Sequence, residues 1–197
     1  MKIFTVIFVF FLLLLAPALL SLGIREIPLK SQGALVNRHK IYGDIVARQE
    51  FISQKNGLSA IAVTIRNFNL VNKKDITLTL VSEDKVVREA KLNGANIPDG
   101  AFVKFKFDSI PDSFGKRYLL YISSPNSTSA EAFEIYFGED NKTVAFSDYY
   151  KISSKAALIR DIYKSFALKM FADRIFAVFY LALTVGSAFY LGRKRLT

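Results

Sequence analysis

The sequence predicts an all-β fold, an antiparallel two-sheet β-sandwich of jelly-roll type, flanked by an N-terminal and a C-terminal transmembrane helix. Three observations predict it. Each end of the 197-residue chain carries a long apolar run without charges. Between these ends, apolar and polar residues alternate with a period of two in about eight short runs. Turn residues separate the runs and no helical pattern interrupts them before Tyr150, which is typical of a sandwich.

The first apolar run extends from Ile3 to Ile24 without a charged residue. As a helix, 22 such residues would span about 33 Å, which is enough to cross a bilayer. Lys2 and the small residues Ala16 and Ala18 also fit a cleaved signal peptide, although the apolar run exceeds the usual signal core of about 7–15 residues. Residues 1–24 are therefore predicted to be a transmembrane anchor or a signal peptide.

A polar lead-in occupies residues 25–43 and carries at most a short strand, because Pro28, Gly33 and Gly43 interrupt it. The predicted sandwich covers residues 44–150. Its clearest alternation is in residues 102–110, where the apolar side chains at odd positions lie on one face of the strand and Lys104 and Lys106 lie on the other. Runs of this kind predict a core of Ile, Val, Leu and Phe between two sheets.

After Tyr150 the period becomes helical. Residues 151–173 are predicted to form a juxtamembrane amphipathic helix, capped by Ser153 or Ser154. Residues 174–197 are predicted to be a C-terminal transmembrane helix with a basic tail. Because basic residues flank the outer end of each apolar run, both termini are expected in the cytoplasm of a plasma-membrane protein, with the sandwich extracytoplasmic.

The net charge of +10 lies mostly outside the predicted sandwich. Between Arg25 and Tyr150 there are 17 basic and 15 acidic residues, a surplus of 2, so the other segments supply 8 of the 10 charges. This distribution indicates contact with membrane lipid and argues against a nucleic-acid partner. Cys is absent and His39 is the only histidine, so we predict no thiolate chemistry, no His-rich metal site and no cofactor.

Tyr121 and Tyr136 are the candidate ligand-binding residues, because both are predicted on outward faces of strands. Exposed aromatic rings can stack on sugars or contact a partner, and they can equally form cross-strand pairs that stabilise a sheet. Two glycosylation sequons, at Asn126 and Asn141, fall in predicted loops. They matter only in an organism that glycosylates them.

A second class of function is open at this point. Asp99, Asp108 and Asp112 are close in the chain, and a pair of carboxyl groups facing one cleft would permit polysaccharide hydrolysis. Acidic residues in turns more commonly close the turn itself. No phosphate-binding glycine loop, nucleophile elbow or calcium loop is present in the sequence.

Residues 44–151 resemble the β-sandwich module that follows the membrane core of some bacterial and archaeal multi-spanning glycosyltransferases. The resemblance rests on segments such as "RQEFISQKNGLSAIAVTIRNF" and "AFSDYYK". The matching positions are Gln49, Phe51, Leu58, Ser59, Ile61, Phe105, Phe107, Asp112, Ser113, Gly115, Lys116, Tyr118 and Tyr149. These are core and turn residues, so the resemblance implies the fold. Because the polytopic core is missing from this chain, it does not imply sugar transfer.

We therefore expect a non-enzymatic, membrane-anchored binding or accessory module whose partner is an envelope glycan or a polytopic membrane protein. One alternative is the carboxylate hydrolase. Another is a structural subunit of a membrane assembly, for which Gly186, Ser187 and Ala188 offer a close-packing helix face.

Overall fold

A computed structural model describes residues 11, 15, 18–19, 21–29 and 34–193, with side-chain burial also left out at 184 and 187–193. The chain divides into two compact units. One unit is Glu26–Lys151, and the other combines Met1–Arg25 with Ile152–Thr197. Among the described residues, the strands lie in the first unit, and the two helices after Ser154 lie in the second.

The first unit is an all-β two-sheet sandwich in which all strand pairs are antiparallel. Its ten strands are β1 (Glu26–Pro28), β2 (Asn37–Ile41), β3 (Ala47–Ile52), β4 (Leu58–Arg66), β5 (Asp75–Ser82), β6 (Lys85–Asn93), β7 (Ala101–Ile110), β8 (Arg117–Ser123), β9 (Phe133–Phe137) and β10 (Phe146–Lys151). The first sheet has the order β1-β10-β4-β9-β2, and β7 also pairs with β4. The second sheet has the order β3-β8-β5-β6.

The predicted alternation accounts for the core. On β4, Ile61, Val63 and Ile65 have no exposed surface, and Ile76, Leu78 and Leu80 on β5 face them from the second sheet. Phe105 is the buried member of the predicted β7 run, with Val103 and Phe107 packed against the cluster. This apolar burial is the main stabilising contribution to such a sandwich.

The strands differ from the prediction at both ends of the sandwich. The lead-in contains two strands, because β1 pairs with β10 and β2 pairs with β9. The last strand, β10, occupies Phe146–Lys151, so it extends one residue past the predicted end of the sandwich at 150, and it inserts beside β4. The lead-in strands form because polar segments become strands when an existing sheet edge offers backbone partners.

The helices of the second unit are α1 (Lys155–Ala172) and α2 (Arg174–Arg193). Ser154 caps α1, as predicted, by accepting a hydrogen bond from the Ala157 backbone at 3.3 Å. Asp173 follows α1 and accepts from the Phe176 N–H at 2.9 Å, so it also begins α2. Phe166 packs edge-on to Tyr180 across the two helices, with ring centroids 5.0 Å apart.

Within the described residues, no helix combines the length and the hydropathy that a bilayer crossing requires, so the predicted C-terminal transmembrane helix is not supported. Most of the N-terminal apolar run and the basic tail at 194–197 lie outside the described residues.

Candidate functional site

The two tyrosines predicted as binding residues lie on opposite outer faces of the sandwich. Tyr121 is on β8 of the second sheet, opposite Arg48 and Thr79, with the Arg48 guanidinium 5.8 Å from its ring centroid. Tyr136 is on β9 of the first sheet, between the core residues Ile135 and Phe137. Both side chains point outward, as predicted, but two opposite faces cannot form one binding site.

The outer face of the first sheet carries a row of short side chains on its central strand. We call this row the β4 strip, defined as Ala60, Ala62 and Thr64. The strip is flanked on the β7 side by Lys106, Lys104 and Phe102, which pair with its three residues in that order. On the β10 side, Tyr149 pairs with Ala60 and Ser147 pairs with Ala62.

Lys104 and Tyr149 cover the lower part of the β4 strip. The Lys104 Nζ lies 3.5 Å from the centroid of the Tyr149 ring, although the two residues come from strands on opposite sides of β4. The same Nζ lies 3.1 Å from the Glu26 Oε2, and the Ser59 hydroxyl donates to the Glu26 Oε1 at 3.2 Å. Ala60 and Ala62 consequently have no exposed surface.

The upper part of the strip is Thr64, which is only 8% exposed and has aromatic residues beside it. Thr64 pairs with Phe102, whose side chain is 49% exposed. On the other edge of β4, β9 pairs through Ile65 with Ile135 and Arg66 with Glu134, and Tyr136 is the next outward residue of β9. Phe102 and Tyr136 therefore lie on strands at the two opposite edges of β4. We call this arrangement the Thr64 notch.

A charged pair stands at the end of the notch. The Arg66 Nε donates to the Asp99 Oδ1 at 2.7 Å, and the side chains are about one-third exposed. The hydrogen bond from Arg66 lowers the pKa of Asp99, and hydrogen bonds to Asp99 and to the Tyr136 hydroxyl raise the pKa of Arg66. Both groups are ionised at neutral pH, so the notch ends in a fixed donor and a fixed acceptor.

The three aspartates of the hydrolase alternative lie at different positions along β7, so the structure gives that alternative no support. Asp99 precedes β7, Asp108 lies within it and Asp112 follows it. The ten residues of β7 extend for roughly 30 Å, which separates the first carboxyl group from the last. Asp112 forms its own ion pair with Lys116, as Asp99 does with Arg66. Extended strand geometry separates residues that a helix would have brought together.

Both sequons lie on exposed turns. Asn126 is exposed, and the Thr128 hydroxyl of its triplet donates to Glu131 at 3.1 Å. The Asn141 Oδ1 lies 2.6 Å from the His39 Nε2, and Asn141 adopts a left-handed backbone with φ of 55°. His39 itself is an exposed residue of β2. Glycosylation at either asparagine stays a prediction.

A buried polar cluster lies inside the sandwich, where the alternation predicts apolar residues. Asp148 pairs with the core residue Ile61, and its Oδ2 accepts from the Tyr150 hydroxyl at 2.7 Å. That hydroxyl in turn accepts from the Ser53 hydroxyl and the Gln54 N–H, each at 3.1 Å. Burial is the largest cause that raises the pKa of Tyr150 to about 12.

This pKa predicts an alkaline loss of stability. Below pH 10, Tyr150 is protonated in both folded and unfolded chains, so its contribution is fully present. Above pH 10 the unfolded chain ionises first, and stability is lost as pH rises to about 12. Two pKa units correspond to about 3 kcal/mol. Denaturant unfolding at pH 9 to 12 should show this extra loss in the native chain and not in Tyr150→Phe; parallel losses in the two proteins would contradict it.

Comparison with known proteins finds no matching family model and no similar curated protein. Among solved structures, carbohydrate-binding module CBM36 in complex with calcium and xylotriose is 11% identical, covering 64% of this chain and 99% of its own, with a TM-score of 0.33. A CBM4 structure is 11% identical, covering 62% of this chain and 69% of its own, with a TM-score of 0.36.

TmCBM61 in complex with β-1,4-galactotriose is 9% identical, covering 65% of this chain and 83% of its own, with a TM-score of 0.36. All three TM-scores are below 0.5, so these similarities carry no inference about the ligand of this chain. The comparisons also do not show the glycosyltransferase-appended context that the sequence resembles.

Proposed function

We propose that the sandwich is a non-catalytic binding module that holds a sugar unit of a glycan in the Thr64 notch. The observation that supports this proposal is that the outward aromatic residues Phe102 and Tyr136 lie on the strands at the two edges of β4, near the short and mostly buried Thr64. A short side chain such as that of Thr64 near two aromatic side chains leaves space for a flat ring. Aromatic faces pack well on the C–H faces of a pyranose.

The charged pair at the end of the notch supports the same ligand class. Sugar hydroxyls both donate and accept hydrogen bonds, and Arg66 and Asp99 offer one group of each kind at 2.7 Å from one another. Their mutual ion pair fixes both side chains before a ligand arrives, which reduces the entropy lost on binding. A few polar groups beside an apolar surface is the usual composition of a small-ligand site.

The cover formed by Lys104 and Tyr149 limits the length of the ligand. Beyond that cover, β4 continues from Thr64 to Arg66, which is roughly 7 Å at the rise of a β-strand. We therefore propose that the module holds one or two sugar units, such as a chain end, and does not bind along an extended polysaccharide. A monosaccharide of the correct type should then compete with the full glycan.

Glycan-array screening of the full chain, followed by calorimetric titration of the best ligand, tests the proposal. Phe102→Ala and Tyr136→Ala should each weaken binding by about 10-fold to 30-fold, because truncation of a central aromatic contact costs about 1.4 to 2 kcal/mol. Tyr136→Phe keeps the ring and should weaken binding far less. Binding is compared only between variants whose Tm equals that of the native chain.

Tyr121→Ala is the matched control, because it removes the same residue type from the outer face of the other sheet. Its affinity should equal that of the native chain. A chain that binds no glycan would overturn the proposal, and so would a ligand whose binding depends on Tyr121 and not on Phe102 or Tyr136. The second of these results would move the site to the second sheet.

A further inference from the structure

The loop between β4 and β5 presents apolar side chains to solvent. Phe68, Leu70 and Val71 are 63%, 40% and 41% exposed. We call these three residues the apolar tip. Exposed apolar side chains that occur singly need no explanation, but three within four residues of one loop form a patch that indicates a contact surface.

The backbone of the tip is held in an unfavourable conformation. Asn69 and Leu70 have φ values of 51° and 53°, in the left-handed region. Asn tolerates this region, but Leu seldom adopts it because its Cβ approaches the carbonyl oxygen. A strained conformation persists only where surrounding contacts impose it, and such positions concentrate at functional sites.

Two buried asparagines impose the conformation from the base of the loop. The Asn67 Nδ2 donates to the Asn72 carbonyl at 3.0 Å, and the Asn72 N–H donates to the Asn67 Oδ1 at 2.9 Å. Both asparagines have no exposed surface. The tip is therefore fixed before it meets a partner, which lowers the entropic cost of association.

A second apolar loop lies at the same end of the sandwich. Ile45 and Val46, just before β3, are 47% and 43% exposed. Ser124 joins the two loops, because its carbonyl accepts from the Gly43 N–H at 3.1 Å and its hydroxyl lies 3.4 Å from the Asn72 Nδ2. Lys73 and Lys74, both exposed, follow the tip directly, and Asp44 precedes the second loop.

We propose that the apolar tip inserts into the interfacial region of an anionic lipid bilayer, with Lys73 and Lys74 at the level of the headgroups. A protruding tip needs a matching cavity in a protein partner, whereas a bilayer conforms to it. Apolar side chains followed by lysines match the layered chemistry of a bilayer surface. The inference is independent of the glycan site, which lies on the face of the first sheet, and of the predicted transmembrane spans.

A single-tryptophan probe tests this proposal, because the chain contains no Trp. Phe68→Trp in the full chain should show a blue-shifted emission on mixing with vesicles of phosphatidylcholine and phosphatidylserine, and brominated lipids should quench it. Phe114→Trp is the control. Phe114 is 67% exposed and follows Ile110, which pairs with Leu58 at the opposite end of β4. Its emission should stay that of a water-exposed residue even if another segment brings the chain to the vesicle.

Two further variants separate insertion from a structural role. Lys73→Gln with Lys74→Gln should weaken partitioning of the Phe68→Trp chain roughly 30-fold, because each lysine near an anionic surface contributes about 1 kcal/mol. Leu70→Gly removes an apolar group at a backbone position that glycine prefers, so it should weaken partitioning without lowering Tm.

The outcomes are distinguishable. Unchanged Phe68→Trp emission with vesicles would overturn the proposal, as would equal quenching of the Phe68→Trp and Phe114→Trp probes. A Phe68→Trp signal that shifts only when a protein binds, and not with vesicles, would assign the tip to a protein partner and would also overturn it.

Discussion

Replacement of Gly94 by alanine is expected to lower the free energy of unfolding by about 3 kcal/mol, because there is no space for a side chain at this position. A Cβ built on Gly94 would lie 2.5 Å from the Asn72 carbonyl oxygen and 2.7 Å from the Asn72 Oδ1. A Cβ atom does not tolerate contacts this short with an oxygen, so the backbone of one of the two loops would have to move.

The neighbouring hydrogen bonds resist that movement. The Gly94 N–H donates to the Lys74 carbonyl at 2.8 Å, and the Gly94 carbonyl accepts from the Asn67 Nδ2 at 2.9 Å. The Asn72 carbonyl is held by the same Asn67 amide. A shift that relieves the clash therefore breaks buried hydrogen bonds, and each of these costs about 1–3 kcal/mol when a partner is left unsatisfied.

Equilibrium denaturation of the full chain measures this effect. Gly138→Ala is the matched control, because the nearest atoms to its built Cβ are at 3.4 and 3.7 Å and its loop can accommodate a methyl group. We expect Gly138→Ala to change stability by less than about 1 kcal/mol. If Gly94→Ala were as stable as the control, the close approach of the two loops would be contradicted.

Asn67→Ala should destabilise the sandwich by about 3–5 kcal/mol, an effect at the upper end for a single substitution. The Asn67 amide donates to the carbonyls of Asn72 and Gly94 at 3.0 and 2.9 Å and lies 3.4 Å from that of Ile97. Its oxygen accepts from the Asn72 N–H. One side chain thus satisfies buried backbone groups in two loops, and its removal leaves them without partners.

Two companion variants show whether hydrogen bonding or volume causes the loss. Asn67→Asp keeps the shape but points an oxygen at carbonyl oxygens, so it should be at least as destabilising as alanine. Asn37→Ala is the control: the Asn37 amide donates to a single carbonyl, that of Gly138, at 2.9 Å, and its loss should cost about 1 kcal/mol. An Asn67→Asp chain of native stability would show that the amide donors contribute little.

The local pattern of the sequence was sufficient to predict the strands that form the two sheets' centres. Period-two alternation predicts a core of Ile, Val, Leu and Phe, which includes the buried Ile61, Val63 and Ile65, and it places Tyr121 and Tyr136 on outward faces. This works because successive side chains of a strand point to opposite faces, whatever the strand pairs with. The cap at Ser154 is equally local, since it depends on residues three positions apart.

Pairing between segments that are far apart in the chain determined the features that the local alternation could not predict. β2 has the exposed sequence Arg38, His39 and Lys40, which carries no strand signal, and it is a strand because β9 pairs with it. Asp148 is buried on an inner face because the Tyr150 hydroxyl, two residues away on the same face, donates to it. Propensity describes one residue and its neighbours, so it misses elements that a distant partner stabilises.

The candidate sites depend on pairing in the same way. The alternation predicts that Tyr136 faces outward, but only the pairing of β4 with both β7 and β9 places it and Phe102 on strands at the two edges of β4. Asp99 and Asp112 are close in the sequence, but the extended strand β7 lies between them and separates their carboxyl groups. A strand's period determines which face a side chain occupies, whereas its neighbours on that face come from segments far along the chain, and only the folded sheet selects them.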